Sequence, residues 1–496
     1  MSSLHGILNP WKPEALEKIH QASLQILERT GVWVGHDEAL DSLERTAARV
    51  DRATKIVRFP AAMVDEIMRH APGSWDRVGG PTREFSVSAD CGAQHIWDYA
   101  TRRARPVVAR DFADVPRLVQ ALKHIDAAGT LVHAMEVPPQ VADMIAYRHM
   151  WNHTEKKGGG GLGRSPSCCD ALHPQAFDYL CEMLEIKIGA AKMRSDPEFS
   201  FFMGVASPLR YSEDILKMAM HTIRRGQVVG IGGNCNCGVQ SPVTPAANIA
   251  LDHAERLAGM CIVTAIKPDA KFYFCNHTYF LDLQSADIAS GSPEQTLLAL
   301  LGQKVLEHCG FRIVVNHPIM DIGAHFPDAQ AGAEKMMYAL LTALGGANGI
   351  GGAGQLKEDF CYEQLMVDDE IAGYVKHLIK GAEITDETIA LETIVEQGIG
   401  ASFMDCDVTL DHWREIYHPP HLFGRKRKSE WMRDGAKDIL TKAHEKVEAT
   451  LARETPTFLS ADQLAAMDKL IFKACKELAG GWNPAPFLNL AGRSES

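Results

Sequence analysis

The sequence predicts an α/β protein built on a (β/α)8 TIM barrel, with an N-terminal α/β cap and C-terminal helices. From residue 111 onward, short apolar runs that often end in Gly, Cys, Asn or His alternate with amphipathic helical stretches. Eight such strand–helix units over roughly 300 residues fit a closed barrel better than an open doubly wound sheet. The chain has no GxGxxG after its first predicted barrel strand and no GxxxxGKS/T anywhere, so a nucleotide-binding fold has little support.

The composition is that of an ordinary soluble globular protein, since 46% of the 496 residues are hydrophobic and 23% are charged. The 51 basic and 63 acidic residues give a net charge of -12, which argues against general nucleic-acid binding. The 12 cysteines are scattered without regular spacing, and the N-terminus has no apolar signal core. No segment approaches the roughly 20 apolar residues of a membrane span. We therefore expect a cytoplasmic protein with free thiols, no nucleic-acid partner and no membrane partner.

Residues 1–110 are predicted to form the N-terminal cap region. Pro13 and Gly31 bracket an amphipathic helix, because proline suits the start of a helix and glycine the position past its end. The run KIVRFP then predicts a strand, and AAMVDEIMRHAP predicts a second helix. Residues 74–108 contain short runs that are typical of strands and turns.

Residues 111–430 are predicted to form the barrel domain, with helices such as PAANIALDHAERLAGMCIVTAI between its strands. The predicted strands are the runs at residues 130–135, 156–161, 199–206, 227–233, 271–276, 311–316, 347–352 and 399–404. The last run has the weakest strand pattern.

Residues 431–496 are predicted to form a C-terminal helical extension. Its second helix begins at Ser460 as N-cap and ends at Gly480. Apolar residues recur at helical spacing in both helices: Ala436, Ile439, Leu440, Ala443, Val447 and Leu451, then Leu464, Met467, Leu470, Ile471 and Leu478. The two helices could cover the barrel or make a subunit contact.

The stretch 328–370 is the most distinctive part of the chain. Its first half predicts a helix with an apolar stripe formed by Met336, Met337, Leu340, Leu341 and Leu344. Six glycines then fall within residues 345–354, where backbone must pass close to another group. The helix that follows carries the acidic residues Glu358, Asp359, Glu363, Asp368, Asp369 and Glu370. This pattern suggests a functional site, and the alternative is a tightly packed strand between two helices.

Reactive residues of such barrels stand at the carboxyl ends of the strands. That rule selects a set of polar and aromatic residues: Ser207, Pro208, Asn234, Cys235, Asn236, Cys237, Phe274, Cys275, Asn276, His277, Tyr279, Asn316, His317 and Asp321. His277, His317 and His325 all follow predicted strands, whereas a single histidine in a core is more often structural.

Aromatic residues near the fifth predicted strand could form a cage for a cation, since each desolvated aromatic face attracts a quaternary ammonium by roughly 0.5–2 kcal/mol. The candidates are Phe272, Tyr273, Phe274 and Tyr279, with the carboxylates of Asp328 and Glu334 nearby. Side chains alternate along a strand, so Phe274 and Tyr273 point to opposite faces. We favour Phe274 with Tyr279 and His277, which lie nearest the barrel mouth. The alternative is an aromatic strand that packs its own core.

A zinc site is the second chemical interpretation. Cys235 and Cys237, with Cys275 or the pair Cys168 and Cys169, could supply thiolate ligands from separate strand ends. The CxC spacing is weak evidence, and no second clear ligand pair accompanies it.

Several long runs together resemble the trimethylamine methyltransferase superfamily. They read SPVTPAANIALDHAERLAGMCIVTAIKPDAKFYF, SGSPEQTLLAL, PDAQAGAEKMMYALLTALGGANGIGGAGQL, YEQLMVDDEI and FMDCDVTLDHWREIYHPPHLFGRKRKSEWMRDGAKDIL. The resemblance covers about residues 200–455, and its PDxQAGxEK and glycine-rich blocks are specific. Two segments depart from it: residues 322–325 read IGAH where TDSK is frequent, and residues 309–312 read CGFR where YGLP is usual.

The resemblance implies a TIM-barrel methyltransferase that moves a methyl group from an amine to the cobalt of a separate corrinoid protein. The founding members carry pyrrolysine, whereas this chain is similar to the branch without it, some members of which demethylate betaine-like quaternary amines. We therefore expect a small quaternary or tertiary methylamine as substrate. The expected cofactor is a corrinoid (cobalamin) carried by a cognate partner protein, with no tightly bound metal. We also expect a homo-oligomer.

The expected catalytic residues begin the most distinctive sequence block and follow the sixth predicted strand: Asp328, Gln330 and Glu334. The expected substrate-binding residues lie at or beyond strand ends: Phe274, His277, Tyr279, His317 and His325. Two alternatives remain. One is a zinc-thiolate methyltransferase that delivers the methyl group to a thiol, and the other is a non-catalytic barrel that binds quaternary amines.

Overall fold

The computed structural model describes residues 3–70, 84–89, 92–129, 132–156, 173–195, 199–311, 313–317, 322–454 and 456–489. At residues 194–195, 275–277 and 313–317 only the backbone is described.

The elements before the barrel helices are α1 (Pro13–Arg29), β1 (Val32–Val34), α2 (Asp37–Glu44), β2 (Arg49–Asp51), β3 (Ile56–Arg58), α3 (Ala61–His70), β4 (Ser86–Ala89), β5 (His95–Asp98) and β6 (Arg103–Pro106). The central elements are α4 (Asp111–Ala121), β7 (Ala127–Ala128), α5 (Pro139–His153), α6 (Pro174–Ile188), α7 (Ala190–Ser195), β8 (Ser200–Gly204), β9 (Arg210–Tyr211), α8 (Glu213–Arg224), β10 (Val228–Gly232), β11 (Asn236–Cys237), α9 (Pro245–Ile266), β12 (Phe272–His277), β13 (Tyr279–Asp282), β14 (Asp287–Ile288), α10 (Pro293–His308) and β15 (Ile313–His317). The remaining elements are α11 (Ala329–Gly345), β16 (Gly349–Ile350), β17 (Phe360–Cys361), α12 (Tyr362–Ile379), α13 (Asp386–Ile389), α14 (Leu391–Gln397), α15 (Asp407–Ile416), α16 (Lys428–Arg433), α17 (Ile439–Leu451), α18 (Ala461–Leu478) and α19 (Ala485–Leu488).

The barrel sheet has seven parallel strands among the described residues, in the order β7, β4, β16, β15, β12, β10, β8. Its strands follow one another in chain order around the sheet, and the first of them, β4, pairs with the last, β16. This singly wound order is that of a (β/α)8 barrel. The edge strands β7 and β8 flank residues 157–172, and the strand predicted at 156–161 falls outside the described residues except for its first residue.

Five of the predicted barrel strands are confirmed with small shifts at their ends, namely those that became β8, β10, β12, β15 and β16. The strand predicted at 130–135 is displaced, since β7 lies at Ala127–Ala128. Residues 130–131 lie outside the described part of the chain.

The strand predicted at 399–404 is wrong. These residues form turns and irregular backbone that are mostly exposed, and no neighbouring strand satisfies their backbone groups within the described ranges. The place next to β16 is taken instead by β4, from the region predicted as cap. The predicted cap of residues 1–110 therefore includes one strand of the barrel.

The N-terminal helix forms as predicted, because α1 begins at Pro13 and Gly31 follows it with a φ of +77°. A Cβ at Gly31 would collide with the carbonyl of Val57 in β3. Strand β1 pairs with β3 and also, in parallel, with β9, which follows barrel strand β8. Helix α1 packs against α9 and α10. The cap is thereby tied to the outer helical layer of the barrel.

The glycine-rich stretch between α11 and α12 is a buried crossing. Residues 345–354 are all buried, and a Cβ at Gly349 would lie 2.7 Å from the carbonyl oxygen of Ser86 in β4. The fully buried Lys335 of α11 donates to Asp368 of α12 over 2.8 Å and to the carbonyl of Gly352 over 3.2 Å. The Asp368 carboxylate also accepts the N–H of Gly354 at 2.7 Å. One buried ion pair thus holds this strand and loop between the two helices.

The apolar stripe predicted in α11 is only half-buried. The residues that face the core are smaller or polar: Ala331, Lys335, Tyr338, Ala339, Thr342, Ala343 and Gly345. The alanines and Gly345 of this face let α11 pack closely, whereas the methionines and leucines of the predicted stripe lie at the margins of the interface.

The C-terminal helices cover the barrel, which was one of the two predicted alternatives. Helix α17 packs against α12 and α4, and α18 packs against α5 and α6. Ser460 caps α18 as predicted, in a reciprocal capping box with Gln463. Over the described residues, none of the helices combines the length and apolar character that crossing a membrane requires.

Candidate active site

Contacts with α9 establish which side chains of the barrel strands point inward. A Cβ at Gly259 of α9 would lie 2.7 Å from Ile231 Cγ2, so Ile231 of β10 faces the helices. Ile231 is in register with Met203 of β8 and with Phe274 of β12, and paired residues of parallel strands share a face. These three side chains are almost fully buried. Their neighbours in the chain therefore point into the barrel.

Two aromatic side chains occupy this inward face, Phe202 of β8 and Tyr273 of β12, and both are half-buried. Gly230 lies between them in register, and a Cβ there would lie 2.7 Å from Tyr273 Oη. A Cβ at Gly204 would lie 2.9 Å from Phe202 Cε1. The Oη of Tyr273 is 3.1 Å from Ser200 Oγ, which fixes the direction of the phenol ring. Glycines thus make room for an aromatic wall inside the barrel.

The structure corrects the prediction that Phe274 belongs to the substrate site. Its ring contacts Phe272 and Phe311 in edge-on geometry, with centroids 5.6 and 5.1 Å away. Phe274 is 1% exposed and lies between the sheet and the helices. Alternation along β12 places Tyr273 on the inward side instead.

The other four predicted substrate residues lie at or beyond strand ends. Tyr279 begins β13, next to Asn236 of β11, and is half-buried. His277 and His317 are in register at the ends of β12 and β15, although their side chains lie outside the described part of the structure. His325 is exposed in the loop before α11.

The three predicted catalytic residues come together where α11 begins. Asp328 is the N-cap, and its carboxylate accepts the N–H groups of Gln330 and Ala331. The Nε2 of Gln330 donates to Glu334 Oε1 over 2.8 Å, and the N–H of Gly323 donates to Glu334 Oε2 over 2.8 Å. The cluster therefore shapes the loop that follows β15, at the barrel end where reactive residues are expected.

The acidic side chains of α12 contact backbone N–H groups and a histidine ring of other segments of the chain. The backbone N–H of His124 donates to Asp369, and the N–H groups of residues 421 and 422 donate to Glu370. Glu363 Oε1 lies 2.8 Å from His444 Nδ1. These carboxylates are buried and anchor loops. In this part of the stretch 328–370, the alternative interpretation of tight packing between two helices therefore fits better than a functional site.

Sequence reasoning missed a buried charge cluster on α9, formed by Asp252, Glu255 and Arg256. The carboxylate of Asp252 is paired with Arg256, and a Cβ at Gly233, just past β10, would collide with it. Glu255 accepts one hydrogen bond from Ser207 Oγ and another from the backbone N–H of Leu209, each over 2.7 Å. The cluster thus supports the loops that follow β8 and β10. The run LDHAERLAG, with four ionisable residues inside an apolar helix, was a signal that could have found it.

The cluster contains two carboxyls and only one guanidinium, and all three groups are fully buried. Burial raises the pKa of Glu255 to about 8 and that of Asp252 to about 6. Glu255 is therefore predominantly protonated at neutral pH, which keeps the charge of the cluster close to balance.

Among the described residues, the thiols of the predicted zinc site do not lie close to enough other potential ligands to hold a metal ion. Cys235 and Cys237 are buried, and Cys237 Sγ donates to the carbonyl of Val243 over 3.2 Å. Burial raises the pKa of both thiols. Cys168, Cys169 and the side chain of Cys275 lie outside the described residues.

A singly wound barrel with an aromatic inner wall and buried carboxyls behind its strand ends has the architecture of barrel enzymes. The chain belongs to the trimethylamine methyltransferase family, because the family model described as Trimethylamine methyltransferase (MTTB) matches residues 3–479. The protein is therefore a methyltransferase.

Relatives of known name agree with this family. The chain is 29% identical over 499 residues to the trimethylamine methyltransferase MttB of Methanosarcina barkeri, covering 97% of this chain and 98% of the relative. A trimethylamine methyltransferase MttB of Desulfitobacterium hafniense is 28% identical over 457 residues, covering 89% of each chain. The glycine betaine methyltransferase of Desulfitobacterium hafniense is 24% identical over 479 residues, covering 94% of this chain and 97% of the relative.

The fold also matches a solved structure. The monomethylamine methyltransferase MtmB of Methanosarcina barkeri superimposes with a TM-score of 0.52, covering 91% of this chain and 90% of that chain at 12% identity. At this identity the similarity concerns the fold alone.

We predict that replacing Glu255 by Gln flattens the pH dependence of stability. The folded-state pKa is raised from 4.5 to about 8, so the stabilising contribution of this carboxyl is fully present below pH 4.5 and lost as pH rises through about 8. The unfolding temperature of the wild type should decrease as pH rises from about 5 to about 8, and that of Glu255→Gln should decrease less.

The control for this measurement is Glu445→Gln, at an exposed carboxylate paired with Lys437. It should retain the pH profile of the wild type. Equal profiles for Glu255→Gln and the wild type would show that Glu255 is already ionised in the folded protein.

Proposed function

We propose that the protein transfers a methyl group from a small quaternary or tertiary methylamine, of betaine-like chemistry, to the cobalt of a separate corrinoid protein. The observation that carries the proposal is the aromatic inner wall formed by Tyr273 and Phe202. The family match and the relatives named trimethylamine and glycine betaine methyltransferases support the same substrate class.

The chemistry needs orientation and desolvation more than acid–base catalysis. The partner's corrinoid would supply a nucleophilic cobalt that takes the methyl carbon, while the C–N bond breaks and a quaternary or protonated tertiary nitrogen leaves as a neutral amine. A quaternary nitrogen has no N–H to donate, so the protein must bind it through aromatic faces and nearby negative charge. Tyr273, held by Ser200, presents such a face inside the barrel. Exclusion of water strengthens the attraction between the ring and the cation.

The cluster of Asp328, Gln330 and Glu334 contributes negative charge and loop shape in this proposal. Glu334 orders the loop through Gly323, and Asp328 is exposed at the start of α11. The other proposed substrate contacts come from the strand ends: His277, Tyr279, His317 and His325.

A homo-oligomer is part of the proposal. Exposed apolar side chains are concentrated in residues 384–416, and a second copy would cover them: Ile384, Ile389, Leu391, Ile394, Val395, Ile399, Met404, Leu410, Trp413 and Ile416. Light scattering on the purified chain tests this assignment, which a monomer at high concentration would overturn.

Demethylation should require a corrinoid partner. We expect NMR to detect loss of a methyl group from glycine betaine or a related amine only when a corrinoid protein with reduced cobalt is added. Demethylation without cobalt would contradict the proposal. Demethylation that instead required zinc and a thiol acceptor would favour the zinc-thiolate alternative.

Replacing Tyr273 by Leu should weaken the binding of a quaternary amine by about 1–2 kcal/mol, because the substitution keeps bulk but removes the π face. Calorimetric titration with a panel of betaines and methylated amines measures the change. Tyr273→Phe keeps the aromatic face and should bind nearly as tightly as the wild type.

The matched control is Phe274→Leu, one position along β12 on the helix side of the strand. It should lower the unfolding free energy by about 1–2 kcal/mol and leave amine binding unchanged. Tight binding by folded Tyr273→Leu, or a binding loss confined to Phe274→Leu, would place the cage elsewhere.

Replacing Asp328 by Asn separates its charge from its capping role. Asparagine is as good an N-cap as aspartate, so the unfolding midpoint should hardly change. Loss of the negative charge should lower kcat/KM for a cationic amine by about two- to fivefold, the size expected for a partly exposed charge. An unchanged kcat/KM and unchanged binding would remove Asp328 from the site.

A further inference from the structure

Two imidazoles and a thiol converge outside the barrel, on the side of the helices. His20 lies on α1, His253 lies on α9, and Cys309 follows the last residue of α10. His20 Nδ1 is 3.0 Å from His253 Nε2, and Cys309 Sγ lies 3.4 Å from the first atom and 3.6 Å from the second. Both histidines are buried, and Cys309 is half-buried.

These separations are close to those of ligands around one zinc ion. Zinc binds histidine nitrogen at about 2.0–2.1 Å and thiolate sulfur at about 2.3 Å, in tetrahedral geometry. Two nitrogens of such a site are then about 3.3 Å apart, and a nitrogen and a sulfur about 3.5 Å apart. The three atoms of the cluster already lie within a few tenths of an ångström of this arrangement.

Hydrogen bonding alone uses these atoms less completely. A ring nitrogen that carries a proton can only donate a hydrogen bond, and one without a proton can only accept. The three contacts among two such nitrogens and one thiol therefore cannot all be strong hydrogen bonds. A cation at the common centre would instead use one lone pair of every atom. Within the part of the chain that the structure describes, this is the one group of three potential ligands that meets at such distances.

The surroundings suit a bound cation that solvent can reach. A cavity of about 490 Å³ is lined by Cys309, Asp65, Met68 and Arg69, which gives access to the sulfur. Asp65 Oδ1 lies 4.0 Å from His20 Nε2, on the side of the ring away from the cluster. At this distance the carboxylate attracts the ring N–H electrostatically without a hydrogen bond, on the side where the supporting group of a histidine ligand lies.

We propose that His20, His253 and Cys309 form a zinc-binding site that ties the cap helix α1 to the barrel helices α9 and α10. The fourth coordination position faces the cavity and takes a water molecule. Cys309 precedes β15, so the site lies at the amino-terminal side of that strand, away from the carboxyl ends where the methyl transfer is placed. The role is therefore structural, and it is independent of the proposed substrate.

Metal content tests the proposal directly. The purified chain is treated with a chelator under reducing conditions, incubated with Zn²⁺, desalted and analysed by mass spectrometry for zinc per chain. We expect one retained zinc in the wild type and at least a tenfold loss of affinity in Cys309→Ser. With Co²⁺ as probe, the wild type should show a thiolate-to-cobalt absorption band that Cys309→Ser lacks.

Two matched variants control for other binding. His308→Gln removes the neighbouring histidine, whose Nε2 contacts Glu17 over 2.8 Å, and Cys475→Ser removes a buried thiol in α18. Both should retain zinc and the cobalt band. Equal zinc binding by the wild type and Cys309→Ser, or no retained zinc in the wild type, would overturn the proposal.

A measurement on the wild type covers the case in which Cys309→Ser fails to fold. Zinc should protect Cys309 from alkylation, as read from peptide masses, because the thiol reaches the cavity. Equal alkylation with and without zinc would overturn the proposal. Neither result depends on amine turnover, so failure of the zinc site and failure of the proposed methyl transfer are distinguishable.

Discussion

The interface between α9 and the barrel sheet is the constraint on which the site depends. Gly259 has no room for a side chain because Ile231 lies directly against it. Once Ile231 faces the helices, the strict alternation of a strand places Gly230 inside the barrel and, through the register of β10 with β12, Tyr273 beside it. A shift of one residue in that register would turn Tyr273 toward the helices and Phe274 into the barrel.

Buried charge imposes the second constraint. Lys335 and Asp368 balance each other between α11 and α12, and Asp368 also accepts backbone N–H of the glycine-rich crossing. Arg256 is paired with Asp252 on α9, and burial raises the pKa of the neighbouring Glu255 to about 8. Charges inside this protein therefore hold loops near strand ends. Their number and spacing in the sequence resemble those of a catalytic cluster, although their partners are mainly backbone groups.

Local patterns explain which sequence predictions succeeded. Pro13, Gly31 and Ser460 mark helix ends through preferences of their own backbone and side chains, and the helices begin or end there as expected. Five barrel strands were recognisable because fully buried parallel strands are continuous apolar runs. The weak run at 399–404 failed for the opposite reason, since its apolar side chains are not covered by the chain. The short strand β4 was assigned to the cap because its length carries little signal.

The sequence by itself determined the family, the barrel class and the ends of the helices marked by Pro13, Gly31 and Ser460, because these depend on long matched blocks and on local propensity. Only the tertiary structure decided that Tyr273, and not Phe274, faces the barrel interior. Which alternate residues of a strand point inward depends on how α9 packs against the sheet. It also decided that His20, His253 and Cys309 meet, although 289 positions separate the first from the last. Contacts between such distant residues are set by how the helices pack on the barrel sheet, and no local pattern encodes that packing.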